Sequence, residues 1–373
     1  MAQQIGRKVY VVGSECTFWR ELDEGRVNYW GTRVDAEGNL LFLETKEDDA
    51  FLQELKTDLE RSNGKIYIAC PGFAQPTGKI LHYFTNNRLW PEGEEDDEES
   101  VCMVSLYATG FRVQPGDLNW TWDWAAVAGR QLEDFLEVLI EEMNGATDLV
   151  PSVLAYSMGT VTATACLAAA ADLASEKEAV LRALGAGRMV YVAGVVGASK
   201  LFEVIERCAL SESVVRIISL ASTDDFFTFV AAELARFMGR KEFFTLHSVG
   251  FADNSGELAD LLGRKWQAGH AFGAAFEAYD CAAIGKGHDY IRLARFGQVV
   301  APILRGADSA AISLVLPRIT KRRPCLTREQ RVQVLAILAA QDLSGYGEGF
   351  RQIDEVGGSQ ERQWPGRWFF YHL

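Results

Sequence analysis

Leu149-Val150-Pro151-Ser152-Val153-Leu154-Ala155-Tyr156-Ser157-Met158-Gly159 is followed by Thr160 to Ala171, a stretch rich in Ala, Thr and Leu. The apolar run reads as a buried strand and the stretch after it as a helix, with a serine at the joint. Small residues stand two places either side of that serine, Ala155 and Gly159. This is the pattern of a nucleophile elbow, in which a serine sits on a turn so tight that only small neighbours fit. The pentapeptide alone is read equally well as an ordinary strand-to-helix turn with a capping serine. In both readings the helix start offers unpaired amide dipoles.

Outward from the elbow, strands and helices alternate. Strands are expected at 8–12, 39–44, 65–70, 101–107, 188–193 and 214–220, and helices at 47–61, 77–90, 125–143, 201–208 and 327–341. This rhythm predicts an α/β fold with a doubly wound, mostly parallel sheet. Lys65-Ile66-Tyr67-Ile68-Ala69-Cys70 is a continuous apolar run, not an alternating one, so helices should cover both faces of the sheet. Residues 240–287 have weak periodicity and many Gly, which fits loops or a small cap or lid. The tail from 342 to 373 turns aromatic at Trp364, Trp368, Phe369, Phe370 and Tyr371 and is expected to pack on the body or on a partner. The body is then residues 1–341.

Composition narrows the classes. A formal charge of −14 disfavours nucleic acid and anionic membranes as partners. Its local source is the acidic run Glu94-Glu95-Asp96-Asp97-Glu98-Glu99, read as a solvated loop. No transmembrane run and no signal peptide are apparent. The seven cysteines are scattered without Cys-x-x-Cys pairs, which points to a reduced, cytoplasmic chain without a disulfide framework or a metal site.

A serine needs a base, and the base an orienting acid. In the order Ser, acid, His, both follow Ser157 in loops beyond later strands. The strand 214–220 runs into Ser222-Thr223-Asp224-Asp225, so either Asp224 or Asp225 serves as acid while the other caps a helix. Among the later histidines, His288 in Gly285-Lys286-Gly287-His288 lies on a Gly-rich loop and is preferred over His270. An oxyanion hole would take the N–H of Met158 and that of Phe73, in the turn Pro71-Gly72-Phe73. Trp120, Trp122 and Trp124 follow the strand 101–107 on a long loop. They either line an acyl pocket or anchor that loop to the body.

Four of these segments resemble the α/β-hydrolase superfamily, in a branch of serine hydrolases related to lipases and esterases. Its early His-Gly-Phe corresponds to Pro71-Gly72-Phe73, and its Ala-His-Ser-Met-Gly elbow to Ala155-Tyr156-Ser157-Met158-Gly159. Its Ser-x-x-Asp corresponds to Ser222-Thr223-Asp224-Asp225 and its Gly-His-x-Tyr to Gly287-His288-Asp289-Tyr290. The resemblance spans roughly 47–300. It implies a triad of Ser157, Asp225 and His288, with Tyr156 near the substrate, acting on a small acyl ester or lipid without a cofactor. Pro71 and Tyr156 replace two histidines of the branch, which alters substrate contacts but no triad member. An acyltransferase with the same triad, and a catalytically silent hydrolase fold used for binding or assembly, are the alternatives.

Overall fold

The computed structural model describes residues 7–16, 22–34, 40–72, 101–109, 118–143, 148–172, 178–208, 215–223, 248–268, 274–285 and 294–322, with the single positions Asp225, Thr228, Glu329, Val332 and Ala336. The strands are β1 (Arg7–Cys16), β2 (Leu22–Val34), β3 (Leu40–Lys46), β4 (Lys65–Cys70), β5 (Val101–Thr109), β6 (Val150–Tyr156), β7 (Arg188–Val192), β8 (Val215–Ala221), β9 (Ala274–Asp280) and β10 (Arg318–Ile319). The helices are α1 (Asp48–Arg61), α2 (Leu118–Met143), α3 (Gly159–Asp172), α4 (Glu178–Ala186), α5 (Ala198–Cys208), α6 (Ala252–Gln267), α7 (Ala294–Leu304) and α8 (Ser309–Val315).

All ten strands join one sheet in the order β10-β9-β8-β7-β6-β4-β5-β1-β2-β3. From β9 through β1 every neighbouring pair is parallel, and β2, β3 and β10 add antiparallel pairs at the two edges. The fold is thus α/β with a mostly parallel sheet, as the alternation of strands and helices required.

Two core layers explain the continuous apolar strands. Successive side chains of a strand point to opposite faces. Ile66, Ile68 and Cys70 of β4 pack with Phe51, Leu132, Leu136, Leu167, Leu181, Val204 and Leu258, so α1 to α6 cover that face. Tyr67 and Ala69 of the same strand pack with Phe296, Val300, Ile303 and Ile312, so α7 and α8 cover the other. The interior strands have no solvated face and hence no polar alternation.

The sequence between 240 and 287, expected to form loops or a cap, supplies in its described part a core helix and a sheet strand. Leu258 and Leu262 of α6 are buried, and β9 pairs with β8 along its whole length. No helix among the described residues is long and apolar enough to cross a membrane.

The chain leaves β4 for β5 on one side, then returns through α2 to β6 on the other side of β4. The carboxyl ends of β4 and β6 therefore flank a point where the strand order reverses. In open α/β sheets, that crevice is where ligands bind.

Candidate active site

Ser157 follows the last residue of β6 directly and has φ 51, inside the left-handed region. Non-glycine residues seldom adopt it, because Cβ crowds the backbone. Such a residue persists only where its surroundings over-determine it, and these outliers cluster at functional sites. The main-chain ties are explicit. The Ser157 N–H donates to the Val192 carbonyl at the end of β7 (2.9 Å). Its carbonyl accepts from the N–H groups of Thr160 (3.1 Å) and Val195 (3.4 Å).

Two glycines, Gly159 and Gly72, allow close approaches at the turn. A Cβ on Gly159 would overlap the Cys70 carbonyl at the end of β4, so α3 could not begin against that strand with any other residue. A Cβ on Gly72 would stand 3.1 Å from the Ser157 Cβ and 2.9 Å from Cδ1 of Tyr156. The turn after β4 thus lies against the serine and against the Tyr156 ring. Phe73 lies outside the described residues. Among the described residues the Met158 N–H has no hydrogen-bond acceptor, whereas the Val161 N–H is taken by the Met158 carbonyl (2.9 Å). The Met158 amide stands at the head of α3, where the helix dipole favours negative charge.

Cys70 is the nearby group with intrinsic nucleophilicity, and it is silenced. Burial pushes its thiol up to about 12, so no thiolate forms at neutral pH.

Asp225 lies beyond the carboxyl end of β8 and is fully buried. Its Oδ1 accepts the Thr228 N–H (3.1 Å), while the Thr228 hydroxyl donates to the Asp225 carbonyl (2.9 Å). Asp225 thus holds the Thr228 backbone through Oδ1 in a capping arrangement. Asp224 lies outside the described residues, as do all five histidines, His82, His247, His270, His288 and His372.

The segment Ser248–Phe251, which carries no recognisable sequence signal, ties the loops beyond β7 and β8 together. Val249 N–H donates to the Val196 carbonyl (3.0 Å) and Gly250 N–H to the Gly194 carbonyl (2.7 Å), both beyond β7. The Ser222 N–H, beyond β8, donates to the Gly250 carbonyl (3.0 Å). Ser248 Oγ donates to the carbonyl of Thr228. Gly250 fits because a Cβ there would overlap the Ala193 backbone. Ala193 itself is left-handed at φ 48, which nothing in Val192-Ala193-Gly194 announces.

The tryptophans are not on a loop. Residues 118–124 form the first turns of α2, and Trp122 and Trp124 are buried in the layer beneath α1 to α6. That is the anchoring role of the two considered for them, now on a helix. The side chain of Trp120 lies outside the described residues. Tyr156 packs in the opposite layer, beside Tyr67 and Leu154.

No family model matches the chain, and neither a curated protein nor a solved structure does.

Proposed function

We propose that the protein is a serine hydrolase that cleaves a carboxylic ester or thioester through an acyl-enzyme on Ser157. The observation that carries this reading is a left-handed serine, at the carboxyl end of an interior strand, with Gly72 packed against its Cβ. In the proposed reaction Ser157 Oγ attacks the acyl carbon, and His288 takes its proton and later returns it to the leaving group. Asp225 holds the imidazole tautomer and stabilises the imidazolium. The N–H groups of Met158 and Phe73 receive the developing oxyanion. Loss of one such donor costs about 10²–10³ in turnover. Water then attacks the acyl-enzyme with His288 as base, releasing the acid and restoring Ser157. An acyltransferase differs only in that an alcohol replaces this water.

A second reading rests on two observations: Ser157 is only 3% exposed, and Asp225 already serves as a cap. Under it the chain keeps the fold for binding or assembly without turnover. A fluorophosphonate probe separates the two. Wild type becomes labelled and Ser157→Ala does not if the hydrolase reading holds. Absence of label on folded wild-type protein overturns it in favour of the silent fold.

A further inference from the structure

Thr160, the second residue of α3, is fully buried, and its hydroxyl is engaged twice. Oγ1 donates to the Ser157 carbonyl at 2.7 Å and accepts the Val196 N–H at 3.3 Å. A hydroxyl can do both, having one donor and two lone pairs. Threonine near a helix start commonly bonds back to a carbonyl of its own turn. Here the same oxygen also holds a separate loop, the one beyond β7.

Among the described residues the Ser157 carbonyl thus has three donors, the shortest of them Thr160 Oγ1. Two of the three belong to Thr160. The left-handed turn lacks the intrinsic stability to hold itself, so it depends on such ties. The methyl group matters as well: a Cβ on Gly194 would sit 3.1 Å from Thr160 Cγ2, so the loop beyond β7 fits closely around this side chain.

We infer that Thr160 is a positioning residue, whose hydroxyl joins the Ser157 turn to the loop beyond β7 and fixes where Ser157 Oγ points. This rests on the reading of Ser157 as the nucleophile. Misplacement of a reacting atom by about 1 Å can cost as much as 100-fold in rate.

The experiment compares Thr160→Val, which removes the oxygen and keeps the branched shape, with Thr160→Ser, which keeps the oxygen. The readouts are the rate constant of fluorophosphonate labelling and the Ser157 φ in crystal structures. Thr160→Val is expected to label about tenfold more slowly, with Ser157 displaced from its left-handed conformation and Thr160→Ser close to wild type. Labelling of Thr160→Val at the wild-type rate, with φ unchanged, overturns the inference and leaves the hydrolase reading standing. If wild type itself is not labelled, the hydrolase reading falls and the φ comparison decides alone: an unmoved Ser157 in Thr160→Val overturns the positioning role, a relaxed one supports it. Should Thr160→Val fail to fold, Thr160→Ala against Thr160→Ser tests the same oxygen by the same criteria.

Discussion

A left-handed serine inverts the usual ranking of alanine and glycine. At an ordinary position glycine is the less stable of the two, because the unfolded chain gains freedom. At φ 51 an alanine Cβ carries the full crowding and glycine carries none. Ser157→Gly is therefore expected to be more stable than Ser157→Ala by about 1 kcal/mol. Urea unfolding at a common m-value measures it, and a more stable Ser157→Ala would mean that the turn is unstrained. Under the proposed hydrolase reading both variants should lose labelling, so that stability and function separate at one residue. At this scale the sequence was partly legible. Gly159 announced the tight turn, since a Cβ there would overlap the Cys70 carbonyl. The left-handed Ala193, the Thr160 bridge and the Ser248–Phe251 tie were silent, because each depends on a partner distant in sequence.

Whether an element can be read depends on how evenly it is buried. The start of α2 before Ala125 was expected as a loop because the buried Trp122 and Trp124 stand two residues apart, a spacing that marks no single helical stripe. β9 was missed for the opposite reason. Its segment Ala274-Ala275-Phe276-Glu277-Ala278 is weakly apolar, and Glu277 is accommodated by Ser309, Tyr279 and Arg318. Crowding between helices gives a paired test. A Cβ on Gly129 of α2 would overlap the Thr162 carbonyl of α3 and stand 2.6 Å from the Ala165 Cβ. Gly263 of α6 is exposed, with nothing within 4 Å of such a Cβ. Alanine gains about 1 kcal/mol in helix propensity over glycine at either site. At Gly129 overpacking against backbone costs about 1–3 kcal/mol and wins. Gly129→Ala should lower the urea midpoint, and Gly263→Ala should raise it. Equal shifts of the same sign would refute close packing of α2 on α3.

Across the whole molecule, the alternation of strands and helices disclosed a parallel sheet covered on both faces, but not the strand order. Order is set by which faces are buried together, and β4, β6 and β7 are apolar on both. That same burial encloses ionisable groups and limits stability at alkaline pH. Burial pushes the thiols of Cys70 and Cys208 from 9.0 up to about 12, and raises the Cys281 thiol and the Tyr191 phenol as well. In the unfolded chain the thiols recover their ordinary value. Below pH 9.0 these thiols are protonated in both states and contribute no slope. Above it the unfolded chain releases protons that the native one retains, so stability falls as pH rises. Each such thiol contributes up to about 1.4 kcal/mol per pH unit. The formal charge of −14 acts in the same direction, since self-repulsion grows as the cations titrate. Urea midpoints measured under reducing conditions should therefore decline more steeply between pH 9 and 10 than between pH 7 and 8. The double variant Cys70→Ala/Cys208→Ala isolates the thiol share: its midpoint starts lower through lost packing, but its decline above pH 9 should be shallower than wild type. Parallel declines would mean that water reaches these thiols in the native protein, and that the sheet is not sealed on the face that α1 to α6 cover.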